Sequence, residues 1–281
     1  MLNSVPSIRL PLMRALCEKQ GSNLMKIKPL HPSDTGHEII SDSFLVTEIK
    51  SFKELMDLYD EFSEKYKDSS LLITLDDLGQ AQYTSIHATM FHDLDDIEGH
   101  NLTLVDQSAF EDGEHKGYLS TKSEFFIREE NFRAKAEKTD FLKACSRGLS
   151  IDDDELLVLE KINESPCDFL DNEVLIKIVP VKESSLALSA FPNSYFSSDL
   201  NPFENYALAT HLSEKFGYEI FGIGASLIGF RRKENINKET ARILSADLAK
   251  LYNRSQEDPI IERFSTIAFK NKHLFLKYVE S

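Results

Sequence analysis

The chain predicts an α+β fold, with mixed or mainly antiparallel sheets and helices packed on one face. Short β-rich runs alternate with helical segments along its length. Several helix starts carry capping residues at the right spacing. Two segments also repeat one helix-then-strand order, which would make two similar α+β units.

The first unit opens at Ser51, which can cap a helix, with Glu54 completing a capping box. Leu55, Leu58, Tyr59 and Phe62 then recur at helical spacing. A strand follows at Leu71–Leu75, and Asp76-Asp77-Leu78-Gly79 reads as a turn. Tyr83–Phe91 reads as extended, because β-branched and aromatic residues are interspersed there. Leu102–Val105 and Gly117–Phe126 are further strand candidates, and Glu129–Lys143 turns helical and charged. Ser150 with Asp153 signals another helix start. The run Asp152-Asp153-Asp154-Glu155 then complements the helix dipole rather than holding a metal. Ser165-Pro166 marks a break. The expected organisation is a flexible leader at 1–24, an N-terminal domain at 25–165 and a C-terminal domain at 166–281.

The last third is the best punctuated. Val174–Val181 is a β-rich run closed by Pro180, and Leu186–Phe191 reads as a second short strand. After a loop rich in Ser, Asn and Pro, Asn201 caps a helix with Pro202 at its first position and Glu204 completing the box. Leu208, Leu212 and Phe216 form its buried stripe, and Gly217 ends it. Tyr218–Ile223 and Ser226–Arg231 make a hairpin around Gly224-Ala225. Asn237 caps a helix with Ala241, Leu244, Leu248 and Leu251 on its apolar face. Asp258-Pro259 opens a shorter helix, and Leu274–Val279 closes as a strand. Ser63-Glu64-Lys65-Tyr66 before the strand at 71–75 is echoed by Ser213-Glu214-Lys215-Phe216 before the strand at 219–221, either as duplication or as chance.

Ile176–Val181, Asn201-Pro202, Lys215–Glu219, Glu239–Leu251, Asp258–Ile261 and Leu274–Tyr278 together resemble the bacterial domain of unknown function 4253. The likeness covers the last third only. It departs from that family in having no tryptophan, no Gly-rich Cys-Pro loop before the helix and no cysteine before the Asp turn. It implies a bacterial origin and an order of elements, not an activity.

Composition narrows the function classes. The 281 residues, 41% of them hydrophobic, suffice for a sizeable core. A net charge of -15, from 47 acids against 32 bases, repels a phosphate backbone, so no nucleic-acid partner is expected. No stretch is apolar enough for a membrane span. The apolar segment Ile8–Leu16 is broken by Arg9 and Arg14, so it makes a poor export signal, and Met25 is an alternative start. Cys17, Cys145 and Cys167 are odd in number and widely spaced, which predicts a reduced, cytoplasmic protein.

Three functions follow. The first is a non-catalytic, immunity- or antitoxin-like protein-binding module without a cofactor. Its acidic face at Asp93, Asp95, Asp96 and Glu98 would meet a basic protein. The alternative is a divalent-metal-dependent hydrolase using His87, His92, Asp96 and His100 within the His/Asp-rich stretch 87–115. That stretch matches neither a HExxH motif nor a calcium loop, and its plainer reading is a solvated acidic loop. The third is a small-ligand site, with the loop 192–201 over the helix start at Asn201. Smaller candidates carry blander readings beside them. Cys145 between Lys143 and Arg147 is a thiol activated only if those charges converge. Arg231-Arg232-Lys233 is an anion site or a solvated strand end. Gly222-Ile223-Gly224 fits a hairpin better than a phosphate loop.

Overall fold

Strands from both ends of the chain enter one sheet. The computed structural model describes residues 25–31, 40–194 and 196–280, so the expected leader at 1–24 lies outside the described residues. The elements are β1 (Lys26–Pro29), β2 (Asp42–Thr47), α1 (Phe52–Lys65), β3 (Ser70–Ile73), α2 (Leu78–Phe91), β4 (Phe110–Glu111), β5 (Glu114–His115), α3 (Phe125–Ala136), α4 (Phe141–Cys145) and α5 (Asp153–Glu164). Then come β6 (Glu173–Val179), α6 (Pro202–Phe216), β7 (Glu219–Ile223), β8 (Leu227–Arg231), α7 (Lys238–Leu251), α8 (Ile260–Lys270) and β9 (His273–Lys277).

The main sheet has seven strands in the order β1-β2-β6-β3-β7-β8-β9, and β4 and β5 form a separate small ribbon. Every neighbouring pair is antiparallel except β3 and β7, which run parallel with Ile73 opposite Gly222. The chain is therefore α+β with a mixed, mostly antiparallel sheet. The expected boundary at 165/166 does not separate two sheets. β6 lies between β2 and β3, pairing Ile176 with both Phe44 and Ile73. Its Val-Leu-Ile run is buried at alternate positions of both sets, so it needs a strand on each side and cover on each face. The two echoing helix-then-strand segments end in β3 and β7, side by side in this sheet.

One face is covered by α1. Phe62 meets Phe44 edge-on at 5.0 Å, and Phe52 meets Phe275 at 5.6 Å. Leu55, Leu58, Tyr59 and Phe62 are its buried stripe, each contributing about 1.5–3 kcal/mol of apolar burial. The opposite face lies under the 3-10 segment Ser184–Ala190 and α6, where Phe191 covers Lys177 of β6.

The capping chemistry holds at most helix ends. Ser51 Oγ accepts from Glu54 N at 3.1 Å, although the Glu54 carboxylate takes the Lys50 amide instead of completing the box. Asn201, Pro202 and Glu204 form the full box at α6, and Gly217 closes that helix at φ +69, which favours glycine. Asn237 caps α7.

Several segments differ from expectation. Tyr83–Phe91 is helical, not extended; small residues face inward there, which removes the apolar periodicity that usually marks a helix. Leu102–Leu104 is a single 3-10 turn rather than a strand. Gly117–Phe126 holds no strand but leads through a 3-10 turn at Lys122–Glu124 into α3. Leu186–Phe191 belongs to the 3-10 segment. The helix expected from Ser150 starts at Asp152, whose box partner is Glu155. Ser150 N and Oγ instead donate to Glu280, at 2.7 and 2.9 Å.

Candidate functional site

The surface that stands out is the outer face of α2 with the acidic turn that follows it. The helix begins where Asp77 Oδ1 accepts from Gln80 N at 3.0 Å and Asp171 Oδ2 accepts from Leu78 N at 2.8 Å. Its buried face is Ala81, Thr84, Ser85, Ala88 and Thr89. The inward hydroxyls return to their own helix: Thr84 Oγ1 donates to Gln80 O at 3.0 Å and Thr89 Oγ1 to Ser85 O at 2.9 Å. The inward side chains are small, and Thr84 Oγ1 also donates to Asn193 Oδ1 outside the helix.

The large apolar side chains point the other way. Tyr83, Ile86, Met90 and Phe91 are 53, 47, 69 and 73% exposed. Positions 83, 86 and 90 are three and four residues apart, so they share one line along the helix. A stabilising amphipathic helix would bury this set, so α2 is inverted. The sequence pattern does not single out these residues, because the interspersed β-branched and aromatic residues read as extended. The 3-and-4 spacing of Tyr83, Ile86 and Met90 was the signal that could have found them.

His92 caps the helix and Asp93 continues at φ +46 into the turn. Four acids, Asp93, Asp95, Asp96 and Glu98, follow the apolar line directly, and residues 78–115 contain no Lys or Arg. The turn is fixed to α3. Arg128 holds Asp95 bidentately at 2.6 and 2.5 Å, and Asn131 Nδ2 donates to the carbonyls of Leu94 and Asp96 at 3.1 and 2.8 Å. Asp95 is therefore a structural partner of Arg128. Asp93, Asp96 and Glu98 are exposed, with Asp96 Oδ1 accepting from Glu98 N at 3.0 Å.

The four expected metal ligands do not converge. His87 lies on α2 against Tyr83, with ring centroids 4.2 Å apart. His92 packs edge-on against Phe203 at 4.9 Å, and burial, followed by the nearby charge of Lys135, lowers its pKa against the pull of Asp93. His100 is engaged at both ring nitrogens, with Glu130 at 3.0 Å and Asn131 at 2.9 Å. Among the described residues, no group of three or more His, Cys, Asp or Glu side chains is placed to hold a metal ion.

The remaining sequence candidates serve the fold. Burial pushes the Cys145 thiol up to about 11, and Arg147 turns away to pair with Glu204 at 2.7 Å, so the flanking charges do not activate it. Arg231 pairs with Asp60 at 2.6 Å, and buried Arg232 donates to the carbonyls of Glu234, Ala268 and Asn271. The α6 N-terminus is closed by its own residues: Asn201 Oδ1 accepts from Phe203 N and Glu204 N, and Glu204 accepts from Asn201 N. Gly224 lies in the β7–β8 turn, as a hairpin requires. No helix among the described residues is long and apolar enough to cross a membrane.

No family model matches the chain, and neither a curated protein nor a solved structure matches it. The resemblance of the last third to the domain of unknown function 4253 therefore rests on its sequence pattern alone.

Proposed function

We propose that this protein is a non-catalytic binding module that docks a basic, amphipathic protein segment on the outer face of α2. The observation that carries this reading is the inversion of the helix, with Ala, Ser and Thr inside and Tyr83, Ile86, Met90 and Phe91 outside. Aromatic residues and methionine are the types enriched in protein interfaces, and methionine adapts to varied partners. A helix laid against this line would meet Asp93, Asp96 and Glu98 at its end, so Lys or Arg on the partner would find opposite charge there. The net charge of -15 adds long-range steering. The same charge opposes a second copy of this chain as occupant. The cytoplasmic compartment and the lack of a nucleic-acid partner belong to this proposal, resting on the cysteine pattern and the acidity.

The test is fluorescence anisotropy with a labelled Leu/Lys amphipathic helical peptide, at low and at physiological salt. Saturable binding that weakens with salt is expected. Met90→Ser and Phe91→Ser should weaken it about tenfold, within the range for truncating an interface anchor. Asp93→Lys with Asp96→Lys should slow association most at low salt. Equal binding by all three variants would overturn the proposal. So would a concentration-dependent dimer abolished by Phe91→Ser, or binding gained only when residues 1–24 are removed, since each assigns the face to another occupant.

A further inference from the structure

Parallel β3 and β7, and β9 reached through antiparallel β8, all run in one direction, so their carboxyl ends meet at one edge of the sheet. A cleft opens there, in two lobes of about 240 and 230 Å³ that share Ser194, Phe196 and Asp199. Its walls come from the segments that leave those strands: Gln80 and Thr84 of α2, Ala225 after β7, and Val279 and Glu280 after β9. Crevices beyond the carboxyl ends of strands, at a change of strand order, are where open sheets with parallel strands bind ligands.

The floor is hydrogen-bonded within itself. Asp76 accepts from Ser226 N at 2.9 Å, Ser226 Oγ at 2.6 Å and Leu227 N at 3.1 Å. Gly224 O accepts from Tyr278 Oη at 2.7 Å and from Asn193 Nδ2. Ser194 contrasts with this. It holds φ +94, a strained value for a residue with a side chain, and is 4% exposed. Its hydroxyl lies buried on the wall of both lobes without a hydrogen-bond partner among the described residues. Strain and an orphaned polar atom at one wall position mark a place prepared for a ligand.

The larger lobe sets the ligand's charge. Among the described residues two carboxylates line it, Asp199 and Glu280, with Gln80, Ser198 and the ring of Phe196, and none of these lining residues is Lys or Arg. Glu280 is held in place by Ser150. Asp199 is 4% exposed and accepts from Glu280 N at 3.2 Å. Burial first, and then the charge of Glu280, raise its pKa against its hydrogen bonds, a state that a neighbouring cation would relieve. In the second lobe Arg147 is already committed to Glu204 and to the Ser197 carbonyl.

We infer that this cleft binds a small organic cation through an amine, with its N–H groups donating to Asp199, Glu280 and Ser194 and its alkyl part against Phe196. An ammonium group offers three donors to match these acceptors, and an aromatic face attracts a cation.

The test is titration calorimetry of the full chain with 1,4-diaminobutane, tetramethylammonium chloride and magnesium chloride at matched ionic strength. The expected result is saturable binding of the diamine at one site per chain. Asp199→Asn should weaken it about tenfold, as loss of a charge-assisted hydrogen bond does. Ser194→Ala, which removes a hydroxyl with no partner among the described residues, should melt like the parent and bind the diamine severalfold more weakly. Absence of saturable diamine binding would overturn the inference, and so would undiminished binding by Ser194→Ala and Asp199→Asn together. Equal affinity for tetramethylammonium would overturn the hydrogen-bonded amine, and magnesium binding in its place would make the site a metal site.

Discussion

The side-chain amide of Asn163 closes the open edge of the sheet at Phe275. Its Oδ1 accepts from Phe275 N at 2.8 Å and its Nδ2 donates to Phe275 O at 3.0 Å. Two residues on, Tyr252 Oη does the same for Lys277, donating to its carbonyl at 2.7 Å and accepting from its amide at 3.0 Å. β9 ends the strand order, so these groups would otherwise offer an unpaired edge. Asn163→Leu should therefore cost about 2–4 kcal/mol, from two lost hydrogen bonds and the buried backbone groups left behind. Urea unfolding checks the cost, and light scattering should show concentration-dependent association through the freed edge.

Gly224→Ala should destabilise by about 2–3 kcal/mol, the range for an overpacked position. A Cβ there would lie 2.0 Å from Asp76 Oδ1 and 2.4 Å from Asp76 N. The glycine is required for this close approach. A melting-temperature comparison with Gly79→Ala decides the point, since a Cβ at 79 meets nothing nearer than 3.7 Å.

Lys177 is a group whose titration opposes folding. Burial, and then the like charge of Arg128, lower its pKa from 10.5 to about 8. The unfolded chain holds this proton to higher pH than the folded one. The destabilisation is thus complete below pH 8 and fades as pH rises from about 8 to about 10.5. Lys177→Met should be more stable than the parent by about 1–3 kcal/mol at pH 7. The difference should shrink between pH 8 and 10, read by chemical unfolding at each pH.

Glu124 acts in the opposite sense. Burial pushes its carboxyl up, but hydrogen bonds from His115, Ser120 and Thr121 outweigh it and hold the pKa below the ordinary value of 4.5. Its stabilisation is full above pH 4.5 and is lost as pH falls through the lower folded value. Glu124→Ala should cost about 2 kcal/mol at pH 7, through lost charge-assisted hydrogen bonds. The cost should narrow on acidification, which unfolding curves at pH 7 and pH 3.5 would show.

Helix ends were legible in the sequence because capping is local: Ser51, Asn201 with Glu204, Gly217 and Asn237 each act within a few residues. The α2 segment was not legible as a helix. With Ala81 and Ala88 inside and Tyr83 and Met90 outside, a hydrophobic count reports no inward face. Leu186–Phe191, largely within the buried 3-10 segment, read as a strand for a related reason, since nearly every side chain in it is covered. Sheet order was out of reach, because β6 pairs with β2 and β3 across more than a hundred residues. The acidic turn was found as a feature of composition. Its pairing of Asp95 with Arg128 depends on α3 crossing it. The cleft draws on Gln80, Ser194, Phe196, Asp199, Ala225 and Glu280, and no local spacing could have assembled it.

Placing β6 between β2 and β3 also sets the schedule of synthesis. Until Val179 has left the ribosome, β2 and β3 have no strand to join them, and their apolar residues Phe44, Leu71 and Ile73 wait unpaired. Such late closure leaves a nascent chain exposed to aggregation and dependent on chaperones. Two fragments cut at 165/166 would carry three and four strands of one interrupted sheet, and should regain structure only when mixed.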